Sequence, residues 1–438
     1  MIDSFRYQGL AYRRTSSGTV GVRFDRNFRN PGEEISIPSV ALSYSGKEYH
    51  VTSVDDRGFY MATTLVGLTI PGSVVEVGEE AFASCVNLKY VKIKEGVQIL
   101  HTEAFCRCKS LTEIFIPASI TTIDEEVFRE CFSLKKIIVS DDSAYFSSYN
   151  GSLYNKDKTE LVLHAPANGG TFRLPSTVRT IRQSAFRWSL HLEAIEVGED
   201  SKSFRTIDGL LYDKSLTRLM HCPPNRRGDV VVTNGVTIIG QDAFLYCEHI
   251  RSITLPDSLN EIEQGGFISC GMLHSIVLPE KLKIIGSDAF RHCYAISSVT
   301  VHAKNPPDCD HYCTFSSSTH SNATLYVPLG SKLAYSSAPE WKDFKDIVEK
   351  DFSKEELRIE EGSVTVNMHN GKVLIKGLTC EVIVSSYSGK EVYTLNTEIE
   401  LSKISVPEDH ICEIKVGNKS LKFQNGDSSV IPSSDCTD

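Results

Sequence analysis

No stretch of this sequence approaches the ~18 apolar residues that mark a membrane-spanning helix. The local motifs of common chemistries are missing too. There is no Gly-x-Ser-x-Gly, no His-Glu-x-x-His, no phosphate-binding loop and no dinucleotide fingerprint. Basic residues are outnumbered, 46 Lys and Arg against 56 Asp and Glu, for a net charge of −10. A nucleic-acid partner is therefore not expected, because neutralising phosphates needs clustered cations. The opening residues Met1-Ile2-Asp3-Ser4-Phe5 lack the basic and apolar regions of an export signal. Two readings follow, a cytosolic protein or a mature exported one whose signal has been removed.

What is present is enough apolar residue to fold, 41% of 438 residues. That length exceeds the ~250–300 residues at which single cores stop growing, so the chain is either multidomain or a repeat array. The 13 cysteines, an odd number, decide between them by their spacing. Cys85, Cys108 and Cys131 are 23 residues apart, and so are Cys247, Cys270 and Cys293. Each follows a phenylalanine by three: Phe82, Phe105, Phe128, Phe244, Phe267 and Phe290. Phe59, with Ala62 in the cysteine slot, and Phe186, with Ser189, bring the copies to eight.

Each copy continues with an aliphatic residue and then two more, as in Leu88, Val91 and Ile93, often closed by proline (Pro71, Pro117, Pro256, Pro279). Apolar residues two apart share one side of an extended strand, and proline, lacking an N–H, ends it. One such strand per copy, stacked in parallel, is expected to form a continuous sheet, with Phe and Cys on the opposite wall. A 23-residue coil cannot bury its apolar face alone, so the copies must stack.

The array is interrupted twice. Phe128 to Phe186 and Phe186 to Phe244 are both 58 residues, one coil plus 35. Gly151-Ser152-Leu153-Tyr154 through Leu161-Val162-Leu163-His164-Ala165-Pro166 matches Gly209-Leu210-Leu211-Tyr212 through Leu219-Met220-His221-Cys222-Pro223-Pro224. Strand, polar turn and strand predict a β-hairpin insert in each, near 140–171 and 198–229.

The composite pattern, best seen in Ile284-Ile285-Gly286-Ser287-Asp288-Ala289-Phe290-Arg291-His292-Cys293, resembles the BspA-like leucine-rich repeat family. The resemblance implies a mainly-β leucine-rich-repeat solenoid over 35–305, an N-terminal β cap over 1–34 and a closing segment over 306–350. It further implies an exported, monomeric surface protein of a Gram-negative anaerobe that adheres to a protein or glycan ligand, not an enzyme and without a cofactor. A structural scaffold with no dedicated ligand is the alternative. After a linker at 351–357, short strand patterns such as Val373-Leu374-Ile375 and Val382-Ile383-Val384 predict a small all-β sandwich over 358–425, followed by a disordered tail at 426–438. That sandwich resembles type IX secretion sorting-type domains, although His410-Ile411-Cys412 stands where their Gly-x-Tyr is usual.

Identical side chains in stacked coils pack in file, and a free cysteine behaves as a small hydrophobe. The cysteine series is therefore read as a structural file of buried thiols. Cys309-Asp310-His311-Tyr312-Cys313 falls short of the four ligands of a zinc site. A Cys309–Cys313 disulfide, or no bond, is expected there, and no catalytic or metal residue is assigned. The strand residues between the buried ones should point outward in columns: Tyr90, Lys92, Glu113, Phe115, Lys136, Ile138, Thr254, Val277 and Thr300. These form the expected binding face. Phe115 and Ile138 would be adjacent apolar groups that either mark a contact site or lie under the first insert.

Overall fold

The computed structural model describes residues 4–24, 34–309 and 314–352, together with the backbone of six strands between 372 and 424. Among the described residues the chain winds into a mainly-β solenoid of stacked coils. Each regular coil has three sides: a strand of four or five residues, a two-residue strand, and a corner carrying the phenylalanine.

The longer strands alternate exposed and buried residues, as in Tyr90–Ile93 and Glu113–Ile116. Their parallel register is one coil per step, with Tyr90 beside Gly67 and Phe115 beside Ile138. They do not form the continuous sheet that the period predicts. They are hydrogen-bonded in five separate blocks. Two of the breaks have a clear cause. The turn of each insert sets an accepting carbonyl against the edge that the next strand would otherwise use: Gly151 O accepts Ile137 N–H at 2.9 Å, and Gly209 O accepts Ile195 N–H at 2.9 Å. The breaks between Tyr90–Ile93 and Glu113–Ile116, and between Ile250–Thr254 and Ser275–Leu278, have no counterpart in the sequence pattern.

The corners are held by backbone. Around Phe82, Glu80 and Ser84 take left-handed φ values of 51° and 61°, a region that non-glycine residues enter only when the surroundings fix them. These turns aim Glu80, Phe82 and Ser84 N–H at Thr102, Ala104 and Cys106 O of the next coil, at 3.1, 2.8 and 2.7 Å. The rings then stack in file: Phe59, Phe82, Phe105 and Phe128 with centroids 5.0, 5.3 and 5.9 Å apart, and Phe244, Phe267, Phe290 and Phe315 at 4.8, 5.0 and 5.1 Å. Five of the cysteine thiols, those of Cys85, Cys108, Cys131, Cys270 and Cys293, donate to the preceding coil's phenylalanine carbonyl, as Cys108 Sγ does to Phe82 O at 3.4 Å. Cys247, which follows an insert, donates to Cys222 O at 3.5 Å.

Each insert has three strands where the pattern suggested a hairpin of two. Phe146–Tyr149, Ser152–Asn155 and Glu160–Leu163 form an antiparallel meander, as do Phe204–Ile207, Leu210–Asp213 and Arg218–His221. The third strand of each replaces the coil's short strand and pairs in parallel with the next one, Thr180–Ile181 or Ile238–Ile239.

At the N-terminus, Ser4–Tyr7, Leu10–Arg14 and Thr19–Phe24 form an antiparallel sheet whose last strand joins Glu48–Val54 in parallel. At the other end Thr324–Pro328 and Asp346–Lys350 extend the long-strand side, with Trp341 and Tyr335 buried beneath them. In the tail, Lys372–Leu374 pairs antiparallel with Glu398–Glu400, Cys380–Ser386 with Gly389–Leu395, and Ile411–Val416 with Lys419–Gln424. The sandwich packing and sorting-type features expected of residues 358–425, and the tail at 426–438, lie outside the described residues.

Candidate binding surfaces

Outward-facing residues of the long strands stand where alternation puts them. Tyr90, Lys92, Glu113, Phe115, Lys136, Ile138 and Val277 are exposed, while Thr254 and Thr300 are half-buried. Phe115 is 45% exposed and Ile138, its register partner, 37%, so the first insert does not cover them. The insert instead meets this strand through the Gly151 carbonyl. Toward the C-terminal end Val277, Thr300, Tyr326 and Val348 form one register-aligned column. Tyr90 is partly committed, since its hydroxyl donates to Glu34 and its ring lies over the Cα of Gly67.

Sequence reasoning missed a second feature, which arises where the inserts interrupt the corner ladder. An insert coil has no phenylalanine corner. His164 takes that place in the first insert, donating its N–H to Ala185 O at 2.9 Å, and Cys222 takes it in the second, donating to Ala243 O at 2.7 Å. Without a corner the flanking coils are left unbridged, and a groove opens on each side of the Phe186 coil.

The two grooves are related by the same 58-residue offset, yet they differ. In the first, side chains close the gap. Arg182 donates to Ile123 O at 2.8 Å and to Glu160 at 3.2 Å, and Arg187 donates to Glu126 at 2.8 Å. Trp188 packs there beneath Arg129, whose guanidinium lies 5.4 Å from the indole. The space left is about 20 Å³. In the second groove the equivalents of Arg182, Arg187 and Trp188 are Gly240, Leu245 and Tyr246. The space is about 230 Å³, lined among others by Ile181, Phe186, Arg187, Met220, His221, Asp242 and Glu263. The signal was in the sequence: aligning the inserts at 58 residues shows Arg182 opposite Gly240.

Electrostatics on the groove walls follow burial. His164, buried beside Phe172 and Phe186, is lowered to about 4 by burial. His221, stacked on Phe186 with centroids 4.9 Å apart, is lowered to about 3 by burial and by its proximity to His164. Asp242 is held above its ordinary value, chiefly by burial, with Arg187 pulling the other way. Among the described residues no group of three or more His, Cys, Asp or Glu is placed to hold a metal. Cys309 is described, but Asp310 to Cys313 are not, so the expected Cys309–Cys313 bond lies outside the described residues. No helix among the described residues is long and apolar enough to cross a membrane.

The family model for the BspA type leucine rich repeat region matches residues 39–155 and 227–324, in six copies. Within those two stretches the repeats match the BspA type. Between the two matched stretches lies the irregular Phe186 coil, whose Ser184 and Trp188 lack the left-handed φ of the regular corners. Solved structures similar to the chain include the pneumococcal vaccine antigen PcpA, 18% identical, covering 80% of this chain and 99% of that one with a TM-score of 0.46. A leucine rich cell surface protein from Faecalibacterium prausnitzii is 22% identical, covering 79% and 94% at 0.45. A leucine-rich repeat protein from Eubacterium ventriosum is 19% identical, covering 74% and 76% at 0.42. No curated protein matches the chain. Solenoids of this kind are typically binding or scaffold proteins.

Proposed function

We propose that this protein is a non-enzymatic, surface-exposed binding protein that engages a protein or glycan ligand through the outward face of its long strands. The observation that carries the reading is the pairing of Phe115 with Ile138, two apolar side chains left open on adjacent strands. Tyr90, Lys92, Glu113 and Lys136 surround them, and Thr254, Val277 and Thr300 continue the same side in the later coils. Exposed apolar groups rimmed by polar ones are a usual mark of contact surfaces. A face built of rigid strands presents such groups without an ordering cost. Export and adhesion form part of the proposal, and the match of the repeats to the BspA type supports them.

The test is binding of the full chain to glycan arrays and immobilised extracellular-matrix proteins, repeated with Phe115→Asp and Ile138→Asp. A ligand bound by the parent and at least tenfold weaker with both substitutions supports the reading. A ligand bound equally by both sinks it.

A further inference from the structure

The second groove has the form of the first with its plug removed. In the first groove the short-strand carbonyl Ile123 O, which would otherwise accept an N–H from the following coil, is satisfied by the Arg182 guanidinium. In the second groove the equivalent carbonyl, Ile181 O, accepts no hydrogen bond from the described residues, and the residue equivalent to Arg182 is Gly240. Arg218, which lies over Gly240, is turned the other way in a bidentate pair with Glu263 at 2.6 and 2.7 Å.

The charges around this space do not balance. Arg182, Arg187 and Arg218 each have a carboxylate of their own, in Glu160, Glu126 and Glu263. Asp242 stands where the first groove has Ser184; its carboxylate accepts no hydrogen bond from the described residues, and its nearest cation is Arg187 Nη2 at 3.9 Å. Its side chain is only 14% exposed. A mostly buried carboxylate and an unsatisfied carbonyl on facing coils both call for a donor, and a cation is the donor that meets both. Phe186, Met220 and Leu245 supply apolar wall for a hydrocarbon stem.

We propose that this groove receives the guanidinium of an arginine side chain presented by another polypeptide, with Asp242 and Ile181 O as acceptors, in the way the first groove receives Arg182. A planar guanidinium can serve a carboxylate and a carbonyl at once, which an ammonium does less well. Free arginine fits poorly, because its own carboxylate would find all three neighbouring guanidiniums already engaged. The inference is independent of the proposed ligand face, which lies on another side of the coil.

The experiment is calorimetric titration of the full chain with acetyl-Gly-Arg-Gly-amide, the same peptide carrying citrulline, and free arginine. One site is expected for the arginine peptide, with citrulline and free arginine at least tenfold weaker. Asp242→Asn, nearly isosteric, should weaken the arginine peptide at least tenfold without moving the thermal midpoint. Arg182→Gly, which frees Ile123 O and Glu160 in the first groove, should raise the stoichiometry from one to two. If that variant fails to fold, the Asp242→Asn comparison decides alone. Phe115→Asp should leave peptide binding unchanged. Equal binding of citrulline, indifference to Asp242→Asn or no binding at all would overturn the proposal, and free arginine binding as tightly as the peptide would overturn its polypeptide source.

Discussion

Ser189 Oγ lies 2.7 Å from His164 Nδ1, both groups fully buried at the start of the irregular coil. In the regular coils the same two positions hold a cysteine and a phenylalanine, and the thiol reaches the backbone carbonyl instead. Where the ring becomes an imidazole, the slot opposite becomes a hydroxyl, and a buried polar atom gains its partner. Ser189→Ala should therefore cost ~1–3 kcal/mol, the usual penalty for stranding a buried polar group. The loss would appear as a lower urea midpoint.

His164 and His221 also set an acid limit. Burial lowers them to about 4 and about 3, against ~6.5 for an unfolded histidine. The folded chain thus binds fewer protons than the unfolded one, so stability is full above the unfolded value and falls as pH drops from there toward 4. Replacing His164 by Phe should flatten part of that fall, by roughly 3 kcal/mol at most. Urea unfolding at pH 7, 5.5 and 4.5 measures it. A parent and a His164→Phe variant with the same pH slope would remove the explanation.

The regular coils were legible because their physics is local and repeated. Phe82, Phe105 and Phe128 recur at one spacing, and the glycines of Val77-Gly78 and Ile285-Gly286 recur because a Cβ there would strike the preceding coil, 2.4 Å from Gln264 N at Gly286. Outward positions such as Phe115 and Val277 follow from strand alternation alone. Interruptions of the sheet were not legible. Two of them depend on the Gly151 and Gly209 carbonyls arriving from inserts, which no period encodes. The grooves were missed because they are made by an absence: a corner that the insert coils lack, filled by Arg182 in one place and unfilled at Gly240 in the other.

His101 should respond to pH with the opposite sign. It sits between Asp124, 3.0 Å from Nδ1, and Glu76, 3.5 Å from Nε2. Burial disfavours its charge, but the two carboxylates outweigh that and raise its pKa. Its contribution is present below the unfolded value and is lost as pH rises through the folded one. The side chain is 36% exposed, so screening should hold the effect below about 1 kcal/mol. His101→Gln should be less stable than the parent at pH 5.5 and equal to it at pH 8. The reverse order would contradict the carboxylate clamp.

The file of thiols should be chemically silent. Cys85, Cys108, Cys131, Cys247, Cys270 and Cys293 are fully buried, and burial pushes the Cys85 thiol up to about 12. Only a thiolate reacts quickly. Iodoacetamide followed by peptide mass mapping should leave these six unmodified in native protein and label them after denaturation. Cys108→Ala should cost ~1–3 kcal/mol, combining a lost thiol donor with a small cavity. Rapid native labelling of Cys108 would mean the coil interior opens on the labelling timescale.

The N-terminal cap rests on one carboxylate. Asp55 is 6% exposed, and it accepts from Arg13 Nη2 at 3.1 Å and from Arg23 Nε at 2.9 Å. Both arginines come from the antiparallel sheet, while Asp55 directly follows Glu48–Val54, which pairs in parallel with Glu76–Val77 of the next coil. The pair therefore ties cap to solenoid. A Cβ on Gly21 would lie 2.0 Å from Asp55 Oδ1, so that strand must carry glycine for the carboxylate to stay. Removing one partner of a buried ion pair typically costs ~3–5 kcal/mol. Here both arginines are nearly half exposed and can rehydrate, so Asp55→Ala should cost less, roughly 1–3 kcal/mol. The loss should be local. Hydrogen exchange should quicken in Leu10–Arg14 and Thr19–Phe24, while Ser275–Leu278 keeps its protection, because coils in a stacked array contact only their neighbours. Uniform loss of protection along the whole stack would show instead that cap and solenoid unfold as one unit.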